Sequence, residues 1–315
     1  MVTSTAALGL TIATLTVFTV LGIWFSRGRV DSVEDLITAR DSATGGRTTA
    51  TLIASVMGVW ILLSAPEAGA LYGIAAVIGY GIGEAIPMLA YSKLGPRIRE
   101  VIPDGHSLTE YAYARYGGGM YAFVLAVSVL YMFVFLAAEL TGISLAFQYV
   151  AGVPQWQTAV LVGGFVLVYT GYGGLRASIV TDTIQLLLIL PLLVASVALV
   201  VFTLGGASGV YEGIVTTDPT LLDPGFVPGI RFGIALIFAI LGAELLNQTW
   251  WQRIYAADGA DTVERSFRIA TVANGLILVL ATFLGIVAVG NADVVTQFGS
   301  ENYNAGTAFF LLLEG

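Results

Sequence analysis

Eight apolar runs long enough to cross hydrocarbon recur along this chain. They are Ala6–Phe25, Thr48–Tyr72, Gly73–Tyr91, Met120–Val150, Trp156–Tyr172, Thr183–Leu204, Arg231–Trp250 and Phe267–Gly290. A helix spans the bilayer core with about 20 apolar residues, so each run reads as one crossing. Charged or turn-forming clusters bound the runs. Composition agrees: 57% of the 315 side chains are hydrophobic and 11% charged, against about 25% charged in soluble domains. The reading is an all-α polytopic membrane protein whose first partner is the lipid bilayer. The first run stands where a signal peptide would, but no basic segment precedes it and Arg27 and Arg29 follow it, so it reads as a retained anchor.

Several function classes fall away. With no cysteine, disulfides, thiolate catalysis and Cys-ligated metals are excluded, and a single histidine excludes a multi-His metal centre. A formal charge of −8 is the wrong sign for a nucleic-acid surface. The one enzymatic alternative, a transferase using His106 and Glu110, has no paired catalytic residues at helical spacing behind it. After Pro103-Asp104-Gly105, His106 reads as a turn or cap. The chain is not read as an enzyme.

Basic residues set the orientation. Arg27, Arg29, Arg40 and Arg47 lie between runs 1 and 2, and Lys93, Arg97, Arg99 and Arg115 between runs 3 and 4. Arg176 lies between runs 5 and 6, and Arg253, Arg265 and Arg268 between runs 7 and 8. Twelve of the thirteen basic residues therefore fall in alternate loops, with Arg231 alone in the other set. The positive-inside rule places those loops in the cytoplasm of a multi-pass cell-membrane protein, with the N-terminus and the end of this chain extracellular. Gly205–Gly229 reads as a polar outer loop, and Thr307–Leu313 as a surface or re-entrant helix too short to span.

Four glutamates lie inside the runs: Glu67, Glu84, Glu139 and Glu244. Each costs about 2.5–3.5 kcal/mol on insertion scales. Singly, each reads as well as a hydrogen-bonded clip between helices as a functional group. Four on separate helices favour a shared polar cavity, with Glu84 and Glu244 nearest the midplane. Backbone breakers accompany two of them. Run 2 carries Gly58 and Pro66, the latter unable to donate to the carbonyl of Leu62, and run 7 carries Gly242 just before Glu244. A break inside a membrane frees backbone groups that lipid cannot satisfy. In secondary transporters the solute and the coupling ion satisfy them. Runs 2 and 7 are an odd number of crossings apart, so they point in opposite directions, as an inverted repeat requires. The Gly69-x-x-x-Gly73 and Gly79-x-x-x-Gly83 patterns are weak helix-contact signals, and the sequon Asn247-Gln248-Thr249 falls in or near the membrane, so it is discarded.

Three stretches carry a resemblance. Gly173-Gly174-Leu175-Arg176-Ala177, followed by Thr181-Asp182 and Gln185, resembles the GG-x-x-A-x-x-x-TD-x-x-Q signature of the sodium:solute symporter family. Asn247-Gln248, Gln252-Arg253 and Ala256-Ala257 resemble its NQ-x-x-x-QR-x-x-AA stretch. Ser107–Tyr111 before Arg115-Tyr116-Gly117 is similar to the short cytoplasmic helix that precedes the family's fourth span. The resemblance implies a LeuT-type inverted-repeat fold preceded by one extra helix, with about eight transmembrane helices of a longer bundle. It divides the chain into an extra helix and loop (1–47), a first five-helix repeat (48–204), an extracellular loop (205–230) and the first helices of a second, incomplete repeat (231–315). On this reading the chain is an N-terminal portion.

What the resemblance implies for the site is specific. The family's sodium-binding backbone carbonyls match Ala54 and Met57. The acidic residue of its cytoplasmic ion route matches Asp182, which with Arg253 makes a candidate gate pair. The expected solute contacts are Trp60, Glu84, Glu139, Glu244 and Asn274. Val56 stands where sodium/proline members have an aspartate, Asn274 where sugar-transporting members have a lysine, and Ala243 where those members have an aromatic gate. A sugar is therefore disfavoured. Pro103–Ser107 is reminiscent of the urea-transporting branch. The expectation is sodium-coupled symport of a small polar solute, an amino acid such as proline or a urea-like molecule, by alternating access. The alternative is a proton-coupled carrier titrating Glu84 or Glu244.

Overall fold

The computed structural model describes residues 3–291, Gly306, Phe309, Phe310 and Leu312. Its elements are α1 (Ser4–Ser26), α2 (Val33–Ile37), α3 (Gly45–Ala54), a 3-10 turn (Val59–Leu62), α4 (Ser64–Val101), α5 (Leu108–Tyr116), α6 (Gly118–Ala151), α7 (Gln155–Thr203), α8 (Gly206–Thr217), a second 3-10 turn (Pro219–Leu222), α9 (Val227–Leu245), α10 (Gln248–Ala256) and α11 (Ala260–Val289). Among the described residues, six helices are long and apolar enough to cross a membrane. Two of them are each a pair. α4 turns at Gly73 (φ 65°, ψ −153°) and α7 at Gly174 (φ 54°, ψ −145°). A positive φ is open to glycine at little cost. At both sites the backbone also leaves no room for a Cβ, which would strike the carbonyl of Leu221 at Gly73 and that of Leu36 at Gly174. Split at these two glycines, the six helices become eight segments, one for each expected run.

Packing divides the chain into two compact units. One comprises Met1–Val56, Met88–Leu186 and Ala243–Ala270, the other Met57–Pro87, Leu187–Gly242 and Thr271–Gly315. In the first unit the loops that the basic residues grouped together do meet. Arg99 reaches Asp41 at 2.5 Å and the carbonyl of Ala257 at 2.8 Å, Arg40 reaches the carbonyl of Pro103 at 2.7 Å, and Lys93 pairs with Glu264 at 2.8 Å. Ala43 also forms a parallel bridge with Ala257. Ser107 caps α5 by accepting from the Glu110 amide at 3.2 Å, while the Glu110 carboxylate accepts from the His106 amide at 2.7 Å. That reciprocal cap is the role the turn residues forecast for His106.

The second unit corrects one expectation. Gly205–Gly229 is not a simple polar loop: α8 and the following turn bury Val210, Ile214 and Leu221 in a cluster with Leu284, Ile286 and Val287. Val210 and Ile214 are one helical turn apart, a two-residue apolar stripe too short to register against the glycines and acids around it. Of Thr307–Leu313, only Phe309, Phe310 and Leu312 are among the described residues, and the rest of that expected helix lies outside them.

Candidate functional site

Crossing 2 is interrupted where the breakers lie. α3 ends at Ala54 as the amides of Ser55 and Val56 turn onto the carbonyls of Thr51 and Ile53. Gly58 is then extended (φ −75°, ψ 172°), and a single 3-10 turn leads into α4. Pro66 plays a different part from the one expected. It sits in the first turn of α4, where an amide has no helical acceptor to lose, so it starts the outer helix rather than kinking it. The expected ion-binding positions fall at the close of α3 (Ala54) and inside the interruption (Met57).

Crossing 7 breaks about one turn later than Gly242 suggested. α9 continues through Glu244 to Leu245, the amides of Leu246 and Asn247 tighten onto the carbonyls of Ala243 and Glu244, and Asn247 caps α10 by accepting from the Thr249 amide at 2.9 Å. The protein's own side chains fill this break. Tyr91 donates its hydroxyl to the carbonyl of Leu245 at 3.0 Å, and Ser128 donates to that of Leu246 at 3.5 Å. The Glu244 side chain takes three donors: the Tyr131 hydroxyl at 2.8 Å, the Asn247 amide at 3.0 Å and the Trp250 indole at 2.5 Å. A buried carboxylate with three good donors is satisfied. Sequence reasoning placed Glu244 in the membrane but missed Tyr131, Tyr91 and Ser128, for which spacing gives no signal.

The structure brings Asp182 and Arg253 together. Arg253 Nη2 lies 3.2 Å from Asp182 Oδ2, with the side chains 8% and 16% exposed. The same carboxylate oxygen accepts from Thr51 at 2.5 Å and Ser178 at 3.4 Å, while Arg253 also donates to Ser55 at 3.0 Å. None of these three hydroxyls stands out in the sequence. All are legible afterwards: Thr51 and Ser55 are one turn apart at the end of α3, and Ser178 precedes Asp182 by one turn in α7.

Three of the expected solute contacts, Trp60, Glu84 and Asn274, fall in the second unit. Trp60 lies in the 3-10 turn with its ring 6.1 Å from that of Tyr80, which precedes Glu84 by one turn of α4. Glu84 is 5% exposed and Asn274 fully buried on α11. The next residue, Gly275, packs against Gly81 and Ala85 of α4, which puts Asn274 at the level of Glu84. Among the described residues neither Nδ2 nor Oδ1 of Asn274 has a hydrogen-bond partner, and the Trp60 indole nitrogen has none either. Glu139 stands partly exposed on α6, two turns beyond Tyr131.

The family model described as Sodium:solute symporter family matches residues 36–314. A spermidine transporter of Candida albicans is 27% identical over 294 residues, covering 92% of this chain and 54% of that protein. A probable urea active transporter of Schizosaccharomyces pombe is 23% identical, covering 90% of this chain and 45% of that protein. This chain thus spans about half the length of these curated relatives. A solved structure described as the substrate-bound outward-open state of a Na+-coupled sialic acid symporter superposes with a TM-score of 0.80 at 19% identity, covering 98% of this chain and 65% of that one. The likeness shows the fold, which is of the LeuT type.

Proposed function

The chain belongs to the sodium:solute symporter family, and from that premise we propose that its protein carries a small, polar, N–H-rich solute across the membrane by cation-coupled symport with alternating access. The observation that carries this reading is the interruption of the α-helix between Ala54 and Ser64, where only one 3-10 turn remains. A hard cation takes oxygen ligands, and the last carbonyls of a helix have no helical partner. The proposed sodium donors are the carbonyls of Ala54 and Met57. The membrane potential then contributes about 2.3 kcal/mol per charge per 100 mV.

For the solute, the proposed contacts are Trp60, Glu84 and Asn274. A carboxylate and an amide oxygen accept from N–H donors, which suits a urea-like or amine-bearing molecule better than a sugar. The spermidine and urea transporters among the relatives support that class. Glu244, already holding three donors, is assigned the positioning of the crossing 7 break. Asp182 and Arg253, with Thr51 and Ser55, are the proposed gate on the side of the basic loops, which the proposal takes as cytoplasmic.

Radiolabelled uptake by the full-length gene product tests this reading, with urea, spermidine, proline and galactose each offered with and without sodium. Sodium-stimulated uptake of an N–H-rich solute, with a weaker apparent affinity in Glu84→Gln, is expected. Uptake that ignores sodium and follows a pH gradient selects the proton-coupled alternative. Wild-type affinity in Glu84→Gln refutes the assigned cavity.

A further inference from the structure

A cavity of about 140 Å³ opens in the first unit, and its wall carries three guanidinium groups, those of Arg29, Arg47 and Arg176. Three separate segments supply them. Arg29 lies three residues past the end of α1, Arg47 is in the first turn of α3, and Arg176 comes two residues after the Gly174 turn. Arg29 and Arg47 share one ring: their guanidinium carbons lie 4.1 and 5.1 Å from the centroid of Phe25. Among the described residues neither arginine has a carboxylate within ion-pair reach. Arg176 has one, Asp35 at 3.6 Å, yet its Nε is buried with no acceptor among the described residues. One carboxylate against three cations leaves two positive charges, and the face of a benzene ring attracts a cation only weakly.

Two uncompensated guanidinium charges on one wall suit an anion, and the wall also suggests its shape. A guanidinium fork grips tetrahedral oxyanions through paired N–H donors. The arginines stand at the ends of crossings, where headgroups lie, whereas Phe25 in the last turn of α1 and Ile179 in α7 line the same cavity with apolar surface. Polar grip at the edge and apolar wall inward fit an amphiphile. By the positive-inside rule these are the loops on the leaflet rich in anionic lipid. We infer that this cavity binds a phosphate group, that of an anionic phospholipid headgroup, between Arg29, Arg47 and Arg176. The site would tie the extra first helix to α3 and α7 through a lipid, and it takes part in neither solute nor sodium binding.

Native mass spectrometry of the purified full-length protein in detergent, with phosphatidylglycerol or phosphatidylcholine added, tests the inference. At about fivefold per arginine near an anionic surface, the two uncompensated charges predict about 25-fold preferential retention of phosphatidylglycerol. Arg47→Gln should cut that preference about fivefold, and Arg29→Gln with Arg47→Gln should abolish it. A parallel arm follows thermal unfolding with inorganic phosphate. Stabilisation by phosphate, with no preference between the two lipids, overturns the lipid source and assigns the cavity to a soluble phosphate. Equal retention of both lipids with no response to phosphate overturns the site altogether. Should the double variant fail to fold, the wild-type comparison of the two lipids and phosphate decides by itself.

Discussion

Removing one partner of the Asp182–Arg253 pair should cost more than removing both. With side chains only 16% and 8% exposed, each charge depends on the other and on a few hydroxyls. In Arg253→Gln the Asp182 carboxylate keeps only Thr51 and Ser178, and in Asp182→Asn the guanidinium keeps Ser55 while its Nε already has no acceptor among the described residues. Stranding one buried charge typically costs about 3–5 kcal/mol, whereas replacing both members of a buried pair by well-packed apolar residues is often nearly neutral, and an uncharged Asn–Gln pair falls between. The single substitutions should therefore sum to about 6–10 kcal/mol and the double to about 1–3 kcal/mol, a coupling of at least about 3 kcal/mol. Denaturant unfolding of the full-length protein in mixed micelles measures all four corners of the cycle. The gate assignment adds a second readout: a charge swap, Asp182→Arg with Arg253→Asp, should recover part of the uptake that either single swap abolishes. Single costs that add within about 0.5 kcal/mol, with no recovery by the swap, refute the reasoning.

Glu244→Gln leaves one oxygen for Asn247 and Trp250 and turns its amide to the Tyr131 hydroxyl, which can accept, so charge-assisted bonds become neutral ones; a loss of about 1 kcal/mol in unfolding is expected, and an unchanged stability contradicts the satisfied-carboxylate reading. Gly174→Ala meets both a positive φ and the Leu36 carbonyl, whereas a Cβ at Gly171 meets nothing within 4 Å; size-exclusion profiles should show loss of folded protein for the first and none for Gly171→Ala. Hydrogen bonding from Ser32, with a smaller contribution from the Arg176 charge, holds the Asp35 carboxyl below its ordinary 3.8. A depressed pKa adds stability that is fully present above 3.8 and lost as pH falls through the lower folded value, so hydrogen exchange of the α2 amides, corrected for intrinsic rates, should be flat from pH 8 to 5 and accelerate only below about 4. Asn274→Leu removes two buried polar atoms that lack partners among the described residues, so it should raise stability by about 1–3 kcal/mol while weakening solute uptake; a loss of stability shows that Asn274 is a structural residue.

Much of this architecture is legible in one sequence because hydrocarbon leaves few choices. The eight crossings follow from run length, and the grouping of basic loops follows from charge. Arg99 meeting Asp41 and Lys93 meeting Glu264 show those loops on one face. Gly73 and Gly174 could be located but not understood, since the φ they adopt depends on which carbonyl, Leu221 or Leu36, crowds them from a distant segment. The same limit explains the site. Asp182 and Arg253 could be paired through the resemblance. Tyr131, whose hydroxyl crosses to Glu244 from 113 residues away, carries no local mark. Pro66 misled for a related reason: a proline reads as a break, but its effect depends on whether it falls inside a helix or in its first turn.

Buried polar groups in this protein fall into two chemical kinds, and the difference separates fastening from binding. At the crossing 7 break the Leu245 and Leu246 carbonyls and the Glu244 carboxylate all have donors, as Asp182 does near the basic loops. Such groups are already stable in the empty protein and gain little from a solute. Asn274 is the opposite case: it is fully buried, yet both its amide atoms lack partners among the described residues. Burying an amide without hydrogen bonds costs about 1–3 kcal/mol on mutational scales. A group in that condition gains most from whatever polar molecule reaches it, because the desolvation has already been paid. On the proposed reading Glu244, one of the two glutamates nearest the midplane by sequence, is thus less suited to contact a solute than the neutral Asn274.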